Sequence, residues 1–116
     1  MLTTLVGRVP GARGAIFCDR EGEAVELVVR DTAISEYEMR VFGAQLAATW
    51  LTVQTGALER GAGGLLELQA GCAAGSLLCR ALPEGYYVVL LVGRGSPVSP
   101  AAFELRSAAA EIAQEI

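Results

Sequence analysis

Along residues 35–60 the apolar side chains recur on two nearly opposite sides of a helical wheel. At about 100° per residue, Tyr37, Val41, Ala44, Ala48, Leu51 and Leu58 cluster on one side. Met39, Phe42, Leu46, Trp50, Val53 and Ala57 lie roughly 180° away. Arg40, Gln45, Thr49, Thr52, Gln54 and Glu59 fall mostly on the flanks between them. An ordinary surface helix carries one apolar stripe. The two-sided pattern predicts that one side covers a sheet and the other meets a second partner. The bulky side, Trp50 included, is expected to face the sheet, and the small residues Ala44 and Ala48 suit close approach of another helix.

The boundaries of this helix are written in its flanks. Ser35 is the expected cap, Glu38 completes a capping box, and Ile34 and Met39 occupy the hydrophobic-staple positions. Gly61 and the Gly63-Gly64 pair stop it. A helix from Glu36 to about Arg60 would be roughly 36 Å long. Upstream, residues 2–9 predict a short helix stopped by Pro10-Gly11, and residues 14–18 a strand. Asp19-Arg20-Glu21-Gly22 has hairpin-turn chemistry, with Gly22 suited to a positive φ. Val25, Leu27 and Val29 then alternate with Glu26, Val28 and Arg30, a half-buried strand with one wet face.

Three strands and a helix are predicted downstream. Leu66, Leu68 and Ala70 alternate with Glu67 and Gln69, residues 71–75 read as a loop, and residues 76–82 return as a strand. Pro83-Glu84-Gly85 turns the chain, and the nearly all-apolar run 86–92 reads as a central strand. In the loop Ser96-Pro97-Val98-Ser99-Pro100, Ser99 suits an N-cap and Pro100 the first helical position. Ala102, Leu105, Ala109, Ile112 and Ile116 mark the last helix. Helix, two strands, long helix, three strands, helix is an α+β order with a mainly antiparallel sheet. No internal repeat or linker divides the chain, so residues 1–116 are expected to form one domain.

Composition sharpens the expectation of a partner. Hydrophobic residues make up 53% of the 116, glycine not counted, above the usual 45–50% or so that includes glycine. No apolar run approaches the ~20 residues of a membrane span. Apolar surplus without such a span predicts oligomerisation and no membrane insertion. Residues 1–9 are too short, and broken by Arg8, for a signal peptide, so a cytoplasmic location with reduced thiols is expected. Cys18, Cys72 and Cys79 read as small buried hydrophobes. The net charge is −4, and the nine basic residues are single, scattered arginines. They form no stripe for nucleic acid or an anionic membrane surface.

Candidate chemistry is sparse. Without histidine or lysine there is no Ser-His or Cys-His pair, no Schiff base and no P-loop lysine. Gly61-Ala62-Gly63-Gly64 follows a helix and precedes a strand, the reverse of a phosphate cradle at a helix N-terminus. Glu21 with Glu23 and Glu36 with Glu38 read as a solvated turn and a helix first turn. Three cysteines without histidine fall one ligand short of a zinc site. No catalytic residue, metal or cofactor is expected.

Three segments together resemble the Roadblock/LC7 family. Val9-Pro10-Gly11-Ala12-Arg13-Gly14-Ala15 followed by Asp19-Arg20-Glu21-Gly22 is similar to its opening turn and hairpin. Gly43-Ala44-Gln45-Leu46-Ala47 matches its long middle helix, and Gly85-Tyr86-Tyr87-Val88-Val89-Leu90-Leu91-Val92 its central strand. The resemblance implies a five-stranded antiparallel sheet, with the long helix on one face and short terminal helices on the other, a profilin-like layout. It also implies dimers in which long helices pack together and third strands, here residues 65–70, join edge to edge. Such proteins serve as non-catalytic platforms, among them bacterial MglB-type regulators of small Ras-like GTPases (MglA type) in polarity and motility. In that type the GTPase's own residues are repositioned, and no arginine finger is supplied. This chain departs from the pattern in its truncated first helix and in the Pro- and Ser-rich loop 93–100.

The leading expectation is a homodimeric, non-enzymatic regulator or adaptor of a small Ras-like GTPase. Its dimer face should comprise Tyr37, Val41, Ala44, Ala48, Leu51 and Leu58 of the helix with Leu66 and Leu68 of the third strand. The alternative is a structural scaffold subunit that binds other proteins without a GTPase partner. A small enzyme or sensor on a profilin-like fold is a third class, and it would require an enclosed pocket lined by Tyr86 or Tyr87 and charged groups.

Overall fold

Asp19 shapes the first hairpin. Its carboxylate accepts the N–H groups of Glu21 and Glu23 at 2.9 and 3.0 Å, and Gly22 takes a φ of +85°. β1 (Ala12–Cys18) therefore turns straight back as antiparallel β2 (Ala24–Val29). The computed structural model, which describes residues 1–116, places α1 (Leu2–Arg8) before this hairpin and α2 (Glu36–Glu59) after it. β3 (Glu67–Cys72), β4 (Gly75–Ala81), a single 3₁₀ turn at Pro83–Gly85, β5 (Tyr87–Gly93) and α3 (Val98–Ala113) complete the chain. All strand pairs are antiparallel, in the order β2-β1-β5-β4-β3.

The apolar run 86–92 becomes the central strand because both of its faces are covered. Val88, Leu90 and Val92 point to a core built with α1 and α3, where Leu2, Leu5, Val6, Leu105 and Ile112 are buried. Tyr87 and Val89, on the alternate face, join Ile16, Cys18, Cys79, Met39 and Leu46 under α2. The long helix thus lies on one face and the terminal helices on the other, as expected. Ser35 accepts the Glu38 N–H at 3.0 Å while the Glu38 carboxylate accepts the Ser35 N–H at 3.2 Å, closing the capping box.

Three local expectations are corrected. Residues 71–75 are not a loop: Gly71 pairs with Ser76 and Cys72 with Gly75, leaving only Ala73 and Ala74 to turn. Gly75 is a strand residue of close approach, since a Cβ there would collide with the Val92 carbonyl. Ser99 does not cap α3. The helix begins at Val98 without a side-chain cap, and Pro100 sits in its first turn, where N–H groups lack intrahelical acceptors anyway. Finally, β2 does not have one wet face. Val28 packs on the α1–α3 side, while Val25 is exposed at the irregularity beside the hairpin turn.

Candidate interaction surface

α2 is seated by two glycines and one tyrosine. Gly43 is buried where the helix crosses β1, and a Cβ on it would lie 3.1 Å from the Cys18 Sγ. The hairpin tip approaches even closer, since a Cβ on Gly22 would lie 2.7 Å from the Ala47 Cβ. Tyr87 donates its hydroxyl to the Gly43 carbonyl at 2.9 Å and stacks on Trp50, with centroids 6.0 Å apart and planes 7° from parallel. Trp50 is thus half-buried against the sheet, on the side its wheel position predicts. In the sequence Tyr87 stood in the apolar central strand and as a candidate pocket-lining residue, and its bond to the helix was not foreseen. A tyrosine at the end of a buried strand, needing a partner for its hydroxyl, was the signal available.

The outward stripe of α2 is open to solvent on this chain. Tyr37 is 74% exposed, Leu51 62% and Val41 39%, and Ala44, Ala48 and Leu58 are exposed with them. Leu66 is 63% exposed just before β3. Leu68 is half-buried and packs towards the α2-side core. Val53, expected to cover the sheet, is exposed instead. α2 lies most closely over β2 and β1, so its later turns have less sheet beneath them.

That placement leaves half of the sheet face thinly covered. Leu91 of β5, Leu77 of β4 and Leu68 and Ala70 of β3 are only half-buried on the α2 side. A groove of about 430 Å³ runs between this strip and the helix flank, lined by Tyr37, Val41, Phe42, Gln45 and Leu91 among others. β3 closes the sheet order, so its outer edge has no partner strand. Leu77 and Leu91 were not singled out in the sequence. Their alternation with buried Leu78 and Leu90 placed them on this face.

A second, larger groove of about 920 Å³ opens on the other flank of α2. Its walls include Trp50, Leu51, Leu82, Tyr86, Tyr87, Arg20 and Glu21. It is a surface groove and most of its lining is apolar. The Tyr87 hydroxyl is engaged by Gly43, and the Gln54 carbonyl accepts the Leu65 N–H at 3.3 Å. Arg20 and Glu21 are the charged side chains there, and they do not form an enclosed reactive cluster.

Titratable groups elsewhere have structural settings. Burial pushes the thiols of Cys18 and Cys79 up to about 11 and about 12, and raises Tyr87 as well. Cys72 is exposed, contrary to its expected burial, because β3 is an edge strand. Arg106 hydrogen-bonds Glu67 through two nitrogens at 3.0 and 2.9 Å and, with Arg80 nearby, holds that carboxyl below its usual range. No group of three His, Cys, Asp or Glu side chains is arranged to hold a metal ion. No helix is long and apolar enough to cross a membrane.

Known structures share this architecture closely. A protein described as MglB with tetrameric arrangement superimposes with a TM-score of 0.87 at 19% identity, covering 97% of this chain and 82% of its own. The fold is that of Roadblock/LC7 domains. A Roadblock/LC7 domain from Streptomyces avermitilis gives a TM-score of 0.85 at 14% identity, over 96% of this chain and 90% of that one. The gliding protein MglB of Thermus thermophilus gives 0.85 at 20%, over 99% and 87%. No family model and no curated protein matches at the level of sequence. The expected roadblock architecture is therefore correct, and at these identities the likeness speaks for the fold alone.

Proposed function

We propose that this chain is a homodimeric, non-catalytic regulator or adaptor of a small Ras-like GTPase. The observation that carries the reading is the half-covered sheet. An apolar strip (Leu68, Leu77, Leu91) ends at an unpaired β3 edge, and Leu91 shares a groove with Tyr37 and Val41 of the exposed α2 stripe, on a fold similar to MglB structures. A second copy meets all three needs at once. Its β3 continues the sheet, and its α2 lies over the strip.

The helix is built for such a pairing. Ala44, Ala48, Thr52 and Gly56 form an i+4 ridge of small residues, the kind that lets two helices interlock. Arranged antiparallel about Ala48, Glu36 falls opposite Arg60 of the second copy. Val41, Ala44 and Ala48 form the centre of the proposed face, flanked by Tyr37. Leu66 and Leu68 lie at the strand seam, Leu51 lines the larger groove together with Ala44 and Ala48, and Leu58 lies further along the helix. Burying a large apolar side chain contributes about 1.5–3 kcal/mol, so Leu66 and Val41 matter more than the rim charges.

The chain supplies no histidine, lysine or convergent polar cluster for chemistry of its own. Influence on a GTPase would come through the conformation of the bound partner. Capture of small Ras-like GTPases loaded with GTP or with GDP tests this directly. Binding that prefers one nucleotide state supports regulation. Equal or absent binding in both states sinks it in favour of the scaffold.

A further inference from the structure

The sequence scatters its arginines singly, but the fold gathers four of the nine at one end of the sheet. Arg8, Arg13 and Arg30 line one cleft of about 480 Å³ beside the α1–β1 connection, and Asp31 is the acidic side chain in its wall. Arg94 follows Gly93, whose N–H donates to the Gly11 carbonyl at 2.8 Å in the same connection. Three guanidinium groups thus share the cleft with one carboxylate, and Arg94 follows in the adjoining loop, in a chain whose net charge is −4.

Two of the four are held and two are free. Arg13 grips Asp31 through two nitrogens, each at 2.6 Å. Arg30 donates to the Val6 carbonyl at 2.9 Å, near the α1 C-terminus, and keeps its other donors open. Arg8 and Arg94 are exposed and make no ion pair or side-chain hydrogen bond. The held pair fixes the cleft wall, and the free pair presents forked donors to solvent. Fold stability accounts for Arg13 and Arg30, and Arg8 suits the last turn of α1, where a cation is favoured, but no contact within the chain engages the side chains of Arg8 and Arg94.

We infer that this cleft docks a carboxylate-rich segment of a protein partner. Guanidinium forks match the two oxygens of a carboxylate in plane. Three arginines in one small cleft, with Arg94 in the loop beside it, do not form the extended basic stripe that a nucleic-acid backbone needs. They also lack the polybasic run beside an amphipathic helix that marks an anionic membrane surface. The cleft lies at the β1–β2 side of the sheet, away from the β3 edge, so docking there is compatible with dimerisation and does not depend on it.

The test is a fluorescence-anisotropy titration of the full chain with a labelled hexaglutamate peptide. Binding is expected to saturate at about 0.01 M ionic strength and to vanish near 1 M, where the screening length falls from about 30 Å to about 3 Å. The double substitution Arg8→Glu with Arg94→Glu is expected to weaken it at least about tenfold, the scale of one lost charge-assisted bond. Arg20→Glu with Arg40→Glu changes the net charge equally at another place and is expected to leave affinity within about threefold. Circular dichroism of each variant establishes that it is folded. Equal weakening by both pairs, absence of saturable binding, or tighter arginine-dependent binding to phosphatidylserine vesicles than to the peptide would each overturn the inference.

Discussion

Gly22 carries two constraints at once: a φ of +85° and a hairpin tip pressed against Ala47. Gly22→Ala is therefore expected to lower stability by about 1–3 kcal/mol in urea unfolding, the cost of a strained non-glycine backbone. A change within error would mean that the tip can lift from α2. The positive φ was legible in Asp19-Arg20-Glu21-Gly22, but the close packing was not, since it depends on a helix some twenty residues on. The thiols offer a second residue-scale check. With Cys18 and Cys79 buried and raised to about 11 and about 12, only Cys72 should react with a thiol reagent at neutral pH in the folded protein. All three should react on unfolding. Sequence composition could not separate Cys72 from the others, because what exposes it is the position of β3 at the edge.

Among the elements, α2 was the most legible and β3 the least. Ser35 and Glu38 announce the helix start through side chains three residues apart, so local chemistry was sufficient. Ser35→Ala should cost about 1 kcal/mol, read as a fall in the urea midpoint at constant slope. The β3–β4 hairpin was misjudged because Gly71 and Gly75 are turn residues by propensity, whereas the ladder with β4 and β5 recruits them as strand. Ser99 was misjudged for a related reason: the chain reaching α3 leaves the sheet already turned at Pro97. β3 is also tied to α3 through Glu67 and Arg106. The folded-state pKa of Glu67 is lowered, chiefly by the Arg106 hydrogen bond. Its contribution is therefore present above the unfolded value near 4.5 and is lost as pH falls through the lower folded value. Glu67→Gln should flatten the acid limb of stability below about pH 4.5 and leave its slope at neutral pH unchanged. An unaltered acid limb would show that this exposed-edge pair is screened out.

At the scale of the whole molecule, the α+β order and the central strand could be read from periodicity, and the two-faced layering was implied by the resemblance to the Roadblock/LC7 family. The helix stripe Tyr37–Val41–Ala44–Ala48, read as the face for a second partner, is exposed on this chain. The thin half of the sheet was not legible, because Leu77 and Leu91 look like core in any strand pattern. Only the path of α2 over β1 and β2 uncovers them. The proposed dimer rests on that uncovered strip together with the β3 edge and the small-residue ridge. Sedimentation equilibrium of the wild type and of Ala48→Arg at tens of micromolar protein is the most direct measurement. A wild-type species of twice the 12.1 kDa chain mass, reduced to a folded single chain by Ala48→Arg, is the expected result. A wild type that sediments as one chain, or an Ala48→Arg variant that stays paired, contradicts it.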